Sequence, residues 1–328
     1  MGFTKSFRTP AQLTGSARAA FRATTEQYAT SALLPSQANF TLDYNFSVGS
    51  SILPPAANFR AFNTGSDVNI TSTGETRSGK LPPLSIRMHV DEYQQLKMYN
   101  QTDAIGGKFE EYAQLNATSI AQRVVIAQAE ALQDGKVTIA ERGQSFSVDF
   151  GRKAALSSAV TTPWSDHAAS DPLADLMAYR QVFGAISEII ISRAVMTHLM
   201  QNANLILNSG NKDATFLSEA MVRTILSNFG FGSITINEQK LNDQSGVERP
   251  LFAEDKLVIL GASQVGRTDL GVTAEAADDE NGISGQEQAG LFSGAYDGVD
   301  PSGFNVLVSA IALPVVTDVN KTGSLDVL

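Results

Sequence analysis

Cysteine is missing from all 328 residues. That excludes disulfide staples, thiolate metal sites and cysteine nucleophiles. Histidine is scarce too, with His89, His167 and His198 the three copies. His89 falls on a strand pattern and His198 on a helix pattern, neither with a paired ligand; metal-ligand spacing is absent, and structural roles are expected. The longest apolar runs, such as Ile189–Ile191 and Leu257–Leu260, fall far short of the ~20 residues a membrane helix needs, so no membrane partner is expected. No apolar h-region follows Lys5, so the chain reads as intracellular when made. Positive charge is in short supply: 24 Lys and Arg against 34 Asp and Glu leave a net charge of -10. Duplex affinity rests on cations neutralising phosphates, which makes nucleic acid a poor default partner. There is no internal repeat.

What is present supports a globular protein. With 43% apolar and 18% charged residues, the chain can bury a sizeable core, and its length suggests two domains or one large elaborated one. The most informative stretch runs from Lys108 to Gly151. Phe109, Tyr112, Asn116, Ile120, Val124, Ala127 and Ala131 recur at spacings of three and four, predicting one helix from about Lys108 to Gln133, a rod roughly 39 Å long. Gly135 ends it. Lys136–Ala140, the turn Glu141–Gln144 and Ser145–Phe150 then read as a β-hairpin. No acid, base or nucleophile cluster accompanies this unit, whose shape suits contact with neighbours.

Residues 1–40 are polar, with Leu13, Phe21, Tyr28, Leu33 and Leu34 dispersed. Their low apolar density predicts an arm that orders only against something else. Thr41–Val48 and Ser85–Val90 alternate as strands around a Pro- and Gly-punctuated excursion, whose middle, Asp67–Thr71, alternates with little hydrophobic backing; this predicts a projecting two-stranded arm. Asp171 and Pro172 open a helix, Ile189–Ile191 is a buried strand, and Ser192 caps a further helix. Thr215–Asn228 is helical, Ser233–Leu241 alternates, Asn242–Gly246 turns, and Lys256–Leu260 returns as a strand. An acidic, Gly-rich insert (275–303) precedes final strands at Phe304–Val316 and Ser324–Leu328. Helices mixed with mostly antiparallel strands define an α+β fold.

Charge is uneven. Residues 1–40 carry Lys5, Arg8, Arg18 and Arg22 against Glu26, while Asp269–Asp300 holds eight acids and no base. Arg60, Arg77, Lys80 and Arg87 lie on the projecting arm, and Glu110, Glu111 and Glu130 dot the rod. Ordinary surface charge and a basic arm lying over an acidic neighbour both fit. On the second reading, exchanging Arg77 and Lys80 for Glu impairs assembly but not folding.

Three motifs imitate chemistry. Gly261–Thr268 has the spacing of a phosphate-binding loop with Arg267 in place of lysine, but Asp269-Leu-Gly-Val-Thr273 does not open a helix to cradle an anion. Ser165, Asp166 and His167 are triad residue types, yet consecutive side chains diverge. Asp278–Glu280 lacks the spaced ligands of a calcium loop. No cofactor and no enzymatic activity are expected.

The order of arm, projecting hairpin, rod helix, second hairpin and α+β body resembles the lambda-type (E-family) major capsid protein of tailed bacteriophages. The likeness is carried by the rod entering Gly135-Lys-Val-Thr-Ile, by Ser147-Val-Asp-Phe-Gly-Arg152, by Trp164 with Asp171-Pro-Leu-Ala-Asp175, by Ser233-Ile-Thr-Ile, and by Leu251–Leu260 with Gly266-Arg-Thr-Asp-Leu-Gly271. It implies a Hong Kong 97-like coat fold: N-terminal arm (1–40), E-loop (41–90), P-domain with spine helix (91–165) and A-domain (166–328), with the last strands returning to the P-domain. It implies a coat protein that self-assembles into hexamers and pentamers of an icosahedral head, put together in the bacterial host cytoplasm and enclosing DNA without specific binding. A portal, a separate scaffolding protein and a decoration protein are the implied partners. The intersubunit contacts would fall at Arg60, Arg77, Lys80, Arg87, Glu110 and Glu111. An encapsulin-like compartment shares the fold, although the local motifs favour a phage coat. A nucleotide-binding enzyme using Gly261–Thr268 is the rival from another class.

Overall fold

The structure is a computed structural model that describes residues 2–48, 57–65, 75–98, 101–141, 143–210, 214–243, 245–299 and 302–328. The chain opens with α1 (Pro10–Thr25), started by a capping box in which Thr9 and Gln12 each accept the other's backbone N–H. Next come α2 (Thr30–Leu33), β1 (Ser36–Ala38), the paired strands β2 (Asp43–Val48) and β3 (Glu75–Lys80), β4 (Pro83–Val90) and α3 (Glu92–Lys97). The rod is α4 (Thr102–Asp134), followed by the hairpin β5 (Lys136–Glu141) and β6 (Gln144–Asp149), and by β7 (Ser157–Ala159). A helical stretch holds α5 (Pro172–Phe183), β8 (Glu188–Ser192), α6 (Arg193–Gln201), α7 (Ala203–Asn208) and α8 (Glu219–Asn228). The chain finishes with β9 (Ser233–Asn237), β10 (Lys240–Asn242), β11 (Glu248–Pro250), β12 (Lys256–Leu260), β13 (Gly266–Leu270), β14 (Phe292–Gly298), β15 (Gly303–Val316) and β16 (Thr322–Asp326).

The rod has 33 residues, about 50 Å at 1.5 Å per residue. It starts six residues before the periodic pattern, running through Gly106 and Gly107, poor helix formers, of which Gly106 is buried. Ile105 is buried, and Gly106 admits the Arg8 guanidinium, whose Cζ would lie 2.8 Å from any added Cβ. Gly135 closes the rod at φ +67°, a conformation that costs a side chain energy.

Two sheets flank this helix. Along β15, residues Phe304–Ile311 pair with β4, Phe304–Ser309 also pair with β14, and Ala312–Val316 pair with β13, which takes β1 in parallel. The rod crosses this sheet, and buried Asn116 Nδ2 donates to the Val306 carbonyl at 3.0 Å. The second sheet runs β7-β16-β12-β8-β9. Its central strands explain the apolar runs, since both faces are covered. Leu257 and Ile259 enter a core with Trp164, Leu176, Met196 and Leu226, while Val258 and Leu260 enter another with Leu132, Val137, Phe150 and Leu313. A third core joins α1, the first half of α4 and the first sheet through Phe109, Phe304 and Val308. Strand β7 and Trp164 belong with the second sheet, whereas β14 and β15 lie with the rod.

Residues 1–40 correct the expectation of an arm ordered only by another molecule. Leu13, Ala17 and Phe21 are buried at spacings of four, a face dense enough to pack along α4 although the segment as a whole is polar. Two of the basic N-terminal side chains reach the insert within the same chain, at its backbone carbonyls. Arg18 Nε donates to the Leu291 carbonyl at 2.8 Å, and Lys5 Nζ to the Glu280 carbonyl at 2.6 Å. Phe7 stacks edge-on against Phe109 and Phe304. Buried Gln128 of the rod accepts from Thr30 Oγ1 at 2.8 Å and donates to the Leu34 carbonyl and to Thr268 Oγ1. Gln128→Leu orphans the Thr30 hydroxyl; it is expected to cost about 1–3 kcal/mol. Denaturant unfolding, with faster amide exchange at Val265 and Thr268, checks this.

Two further expectations change. The turn after Leu241 closes a small β10–β11 ribbon, and β9 does not meet β12, because β8 lies between them. The two-stranded arm is present as β2–β3, but its root is backed: Tyr44 and Phe46 are buried and Phe46 lies 5.2 Å from the Phe150 ring. Residues 67–71, read as its middle, lie outside the described residues.

Candidate assembly interface

Five of the six residues expected at intersubunit contacts have partners in their own chain. Arg77 Nε reaches Glu75 at 3.3 Å and its Nη1 donates to the Asp149 carbonyl at 2.7 Å. Arg87 donates to the Tyr296 hydroxyl at 3.1 Å, and Arg60 to the Thr64 carbonyl. Glu110 pairs with Arg8 at 2.5 Å. Glu111 pairs with Lys108 at 2.9 Å, a bond that holds the lysine ammonium above its ordinary value. Lys80 is exposed at the end of β3. The six do not converge on one site.

The feature that stands out was not read from charge. In the excursion between β2 and β3, Phe59 and Phe62 are 108% and 99% exposed, an aromatic pair left wholly to solvent, which apolar groups avoid when they have a partner. Elsewhere on the molecule an open groove of about 1270 Å³ lies between β4, the middle of α4, the β5–β6 hairpin and the β10–β11 turn. Ile86, Ile126, Ile139 and Leu307 supply its apolar lining. On its wall Arg123 pairs with Glu141 at 2.8 Å, and the arginine Nη1 is buried without a hydrogen-bond partner. Nearby Glu130 has its pKa raised by burial, against the opposing pull of Arg123.

The motifs that imitate chemistry are occupied structurally. Gly266–Leu270 is strand β13, with ladders to β15 and β1, so no helix N-terminus follows the Gly261 loop; Arg267 is bound to Asp269 at 2.7 Å. The Asp166 carboxylate accepts the Ala168 and Ala169 amides, and His167 faces His198 at 2.9 Å, not Ser165. Asp278 caps a short 3₁₀ turn. Among the described residues no group of three or more His, Asp or Glu is placed to hold a metal, and no helix is long and apolar enough to cross a membrane.

A long helix lying across one sheet, a second sheet with its own helical layer and a two-stranded arm define a coat-subunit fold of the Hong Kong 97 type. Residues 54–327 match the family of phage major capsid protein E, and the chain belongs to that family. It is a subunit of a phage head shell. The chain is similar to a protein assigned as a capsid protein of a prophage of E. coli CFT073, with TM-score 0.62, 16% identity, and 96% of this chain and 99% of that one covered. It is also similar to a phage-related protein of Bordetella bronchiseptica RB50, with TM-score 0.56, 11% identity, and 99% and 98% covered. No curated protein matches it by sequence.

Proposed function

We propose that this coat subunit acts without catalysis, closing hexamers and pentamers through many modest contacts that symmetry repeats around each ring. The observation that carries this reading, beyond family membership, is the uncovered pair Phe59 and Phe62 in the excursion between β2 and β3. On a neighbouring copy the apolar groove along the rod offers these rings a surface of their own kind. The division into N-terminal segment, E-loop, P-domain and A-domain belongs to the same reading, with β14 and β15 in the P-domain. Lys80 and the outer edge of Arg60 contribute charge at the rim of the contact, while Arg77, Arg87, Glu110 and Glu111 serve first within the subunit. A scaffolding protein, a portal and a decoration protein complete the set of partners. A wall of net charge -10 encloses DNA without gripping it.

Negative-stain microscopy of the expressed protein, alone and with its phage partners, tests the proposal. Rings, tubes or closed shells are expected. Compact monomers under both conditions would remove its basis.

A further inference from the structure

Two of the three histidines face each other at the edge of the second core. His167 lies in the turn that follows Trp164, and His198 lies on α6. His167 Nε2 and His198 Nδ1 are 2.9 Å apart, with ring centroids at 5.2 Å and planes tilted by 37°. A direct bond between imidazoles needs one N–H donor and one lone pair, so at most one ring is charged while it holds. When both rings carry the extra proton, two N–H groups and two positive charges confront each other. The same turn is tied to the helices at other points, among them Asn204 Nδ2, which donates to the Ser170 carbonyl at 2.9 Å. The His167 carbonyl accepts from the Ala203 amide at 2.9 Å, and Asn202 Nδ2 donates to Ser170 Oγ at 2.9 Å. Of these ties, the histidine pair alone is built from imidazoles, the side chain type that changes charge between pH 5 and 8.

We propose that His167 and His198 form a proton-operated latch, which fastens the turn 164–170 to α6 while at most one ring is protonated and opens when both are. Among the described residues, no other ionisable side chain is hydrogen-bonded to the pair. The Asp166 carboxylate caps Ala168 and Ala169, Asp171 caps α5, and Asp175 accepts from the Trp164 indole. Arg193, at the start of α6, is held by Glu219 and Glu238, and Glu219 also binds Arg223 on α8; α7 carries no charged residue. Burial, and then the like charge of His167, push the His198 pKa below the ordinary 6.5. The folded chain therefore takes the last proton less readily than the unfolded one. The latch contributes fully above about pH 6.5 and loses its hold as the pH falls below that value. This device works inside the subunit, so its test does not depend on whether shells form.

Trp164 is the sole tryptophan and sits in the core three residues before His167, with its indole N–H on Asp175 at 2.9 Å. Its emission in the full-length protein, followed from pH 8 to pH 5, reports the latch. A sigmoidal change with its midpoint below 6.5 is expected. His167→Gln and His198→Gln should each abolish it, while His89→Gln, whose ring meets Asn305 elsewhere in the fold, should keep it. Imidazole resonances of the unmodified protein read the same event without any substitution. They should show two coupled rings, the second proton binding more weakly than to a free histidine. Tryptophan emission that stays constant over this range, a transition that survives both substitutions, or two rings that titrate independently at the ordinary value would overturn the proposal.

Discussion

Subunits carrying both Phe59→Ser and Phe62→Ser are expected to fold as the parent does and to yield few closed particles. Both rings are fully exposed in the isolated chain, so their removal takes nothing from its cores. Burying one phenylalanine against a neighbour contributes about 1.5–3 kcal/mol, so the pair is worth roughly 3–6 kcal/mol per contact before ordering costs. Even the lower figure is about a hundredfold in an association constant, and a ring of such contacts compounds the loss. Sedimentation of assembled against free protein reads the effect, with circular dichroism to show that the subunit is intact. A matching lesion in the groove, Ile139→Lys, should reduce assembly as well. Co-expressing the two variants gives the sharper result: a subunit without the two rings can still receive them in its groove, and a groove-deficient one can still offer them. Mixed subunits should therefore regain more particles than either alone. Normal particle yield from the double serine variant would show that these two rings do not drive closure.

Much of the scaffold was legible because it is written locally. The rod announces itself through apolar spacing, Gly135 through its place at a helix end, and α5 and α6 through Asp171 and Ser192, whose side chains accept the Ala174 and Val195 amides. The buried runs at β8 and β12 follow from strands covered on both faces. What escaped is written between distant segments. Leu13, Ala17 and Phe21 look sparse until α1 gathers them on one face, and their cover is the rod, about 100 residues further on. Gly106 argues against helix in isolation, yet it is the place where Arg8 needs room. The order of strands around β8 depends on which buried edge meets which, and single-strand patterns carry no such information. The charge asymmetry between the chain ends was visible, but whether it is satisfied within one subunit or between two is a question of geometry. Here Lys5 and Arg18 reach backbone carbonyls of the insert, and Arg8 pairs with Glu110 of the rod.

Arg152→Met is expected to destabilise the subunit by about 2–4 kcal/mol. The guanidinium lies beneath the C-terminal end of the rod, where the last carbonyls of a helix lack intrahelical donors. Its Nη1 donates to the Gln133 carbonyl at 2.6 Å, and its Nη2 donates to the Leu132 carbonyl and, at 2.9 Å, to Thr322 Oγ1 on β16. Burial pulls its pKa down to about 10, still far enough above neutrality to leave it charged, and a cation at this end of the helix complements the dipole. Burying that charge has its own cost, so a hydrophobic replacement recovers part of the loss. It cannot recover the carbonyls, each of which is left short of a donor. Arg152→Lys keeps the charge but not the fork, and an intermediate loss is expected. Because the side chain bridges the end of α4 and the second sheet, the manner of unfolding should change as well as its midpoint. In the parent, loss of helix and the change in Trp164 emission should coincide in urea; in Arg152→Met the tryptophan should respond at lower denaturant than the rod. Coincident curves with the parent midpoint would mean that this arginine, buried as it is, fastens nothing.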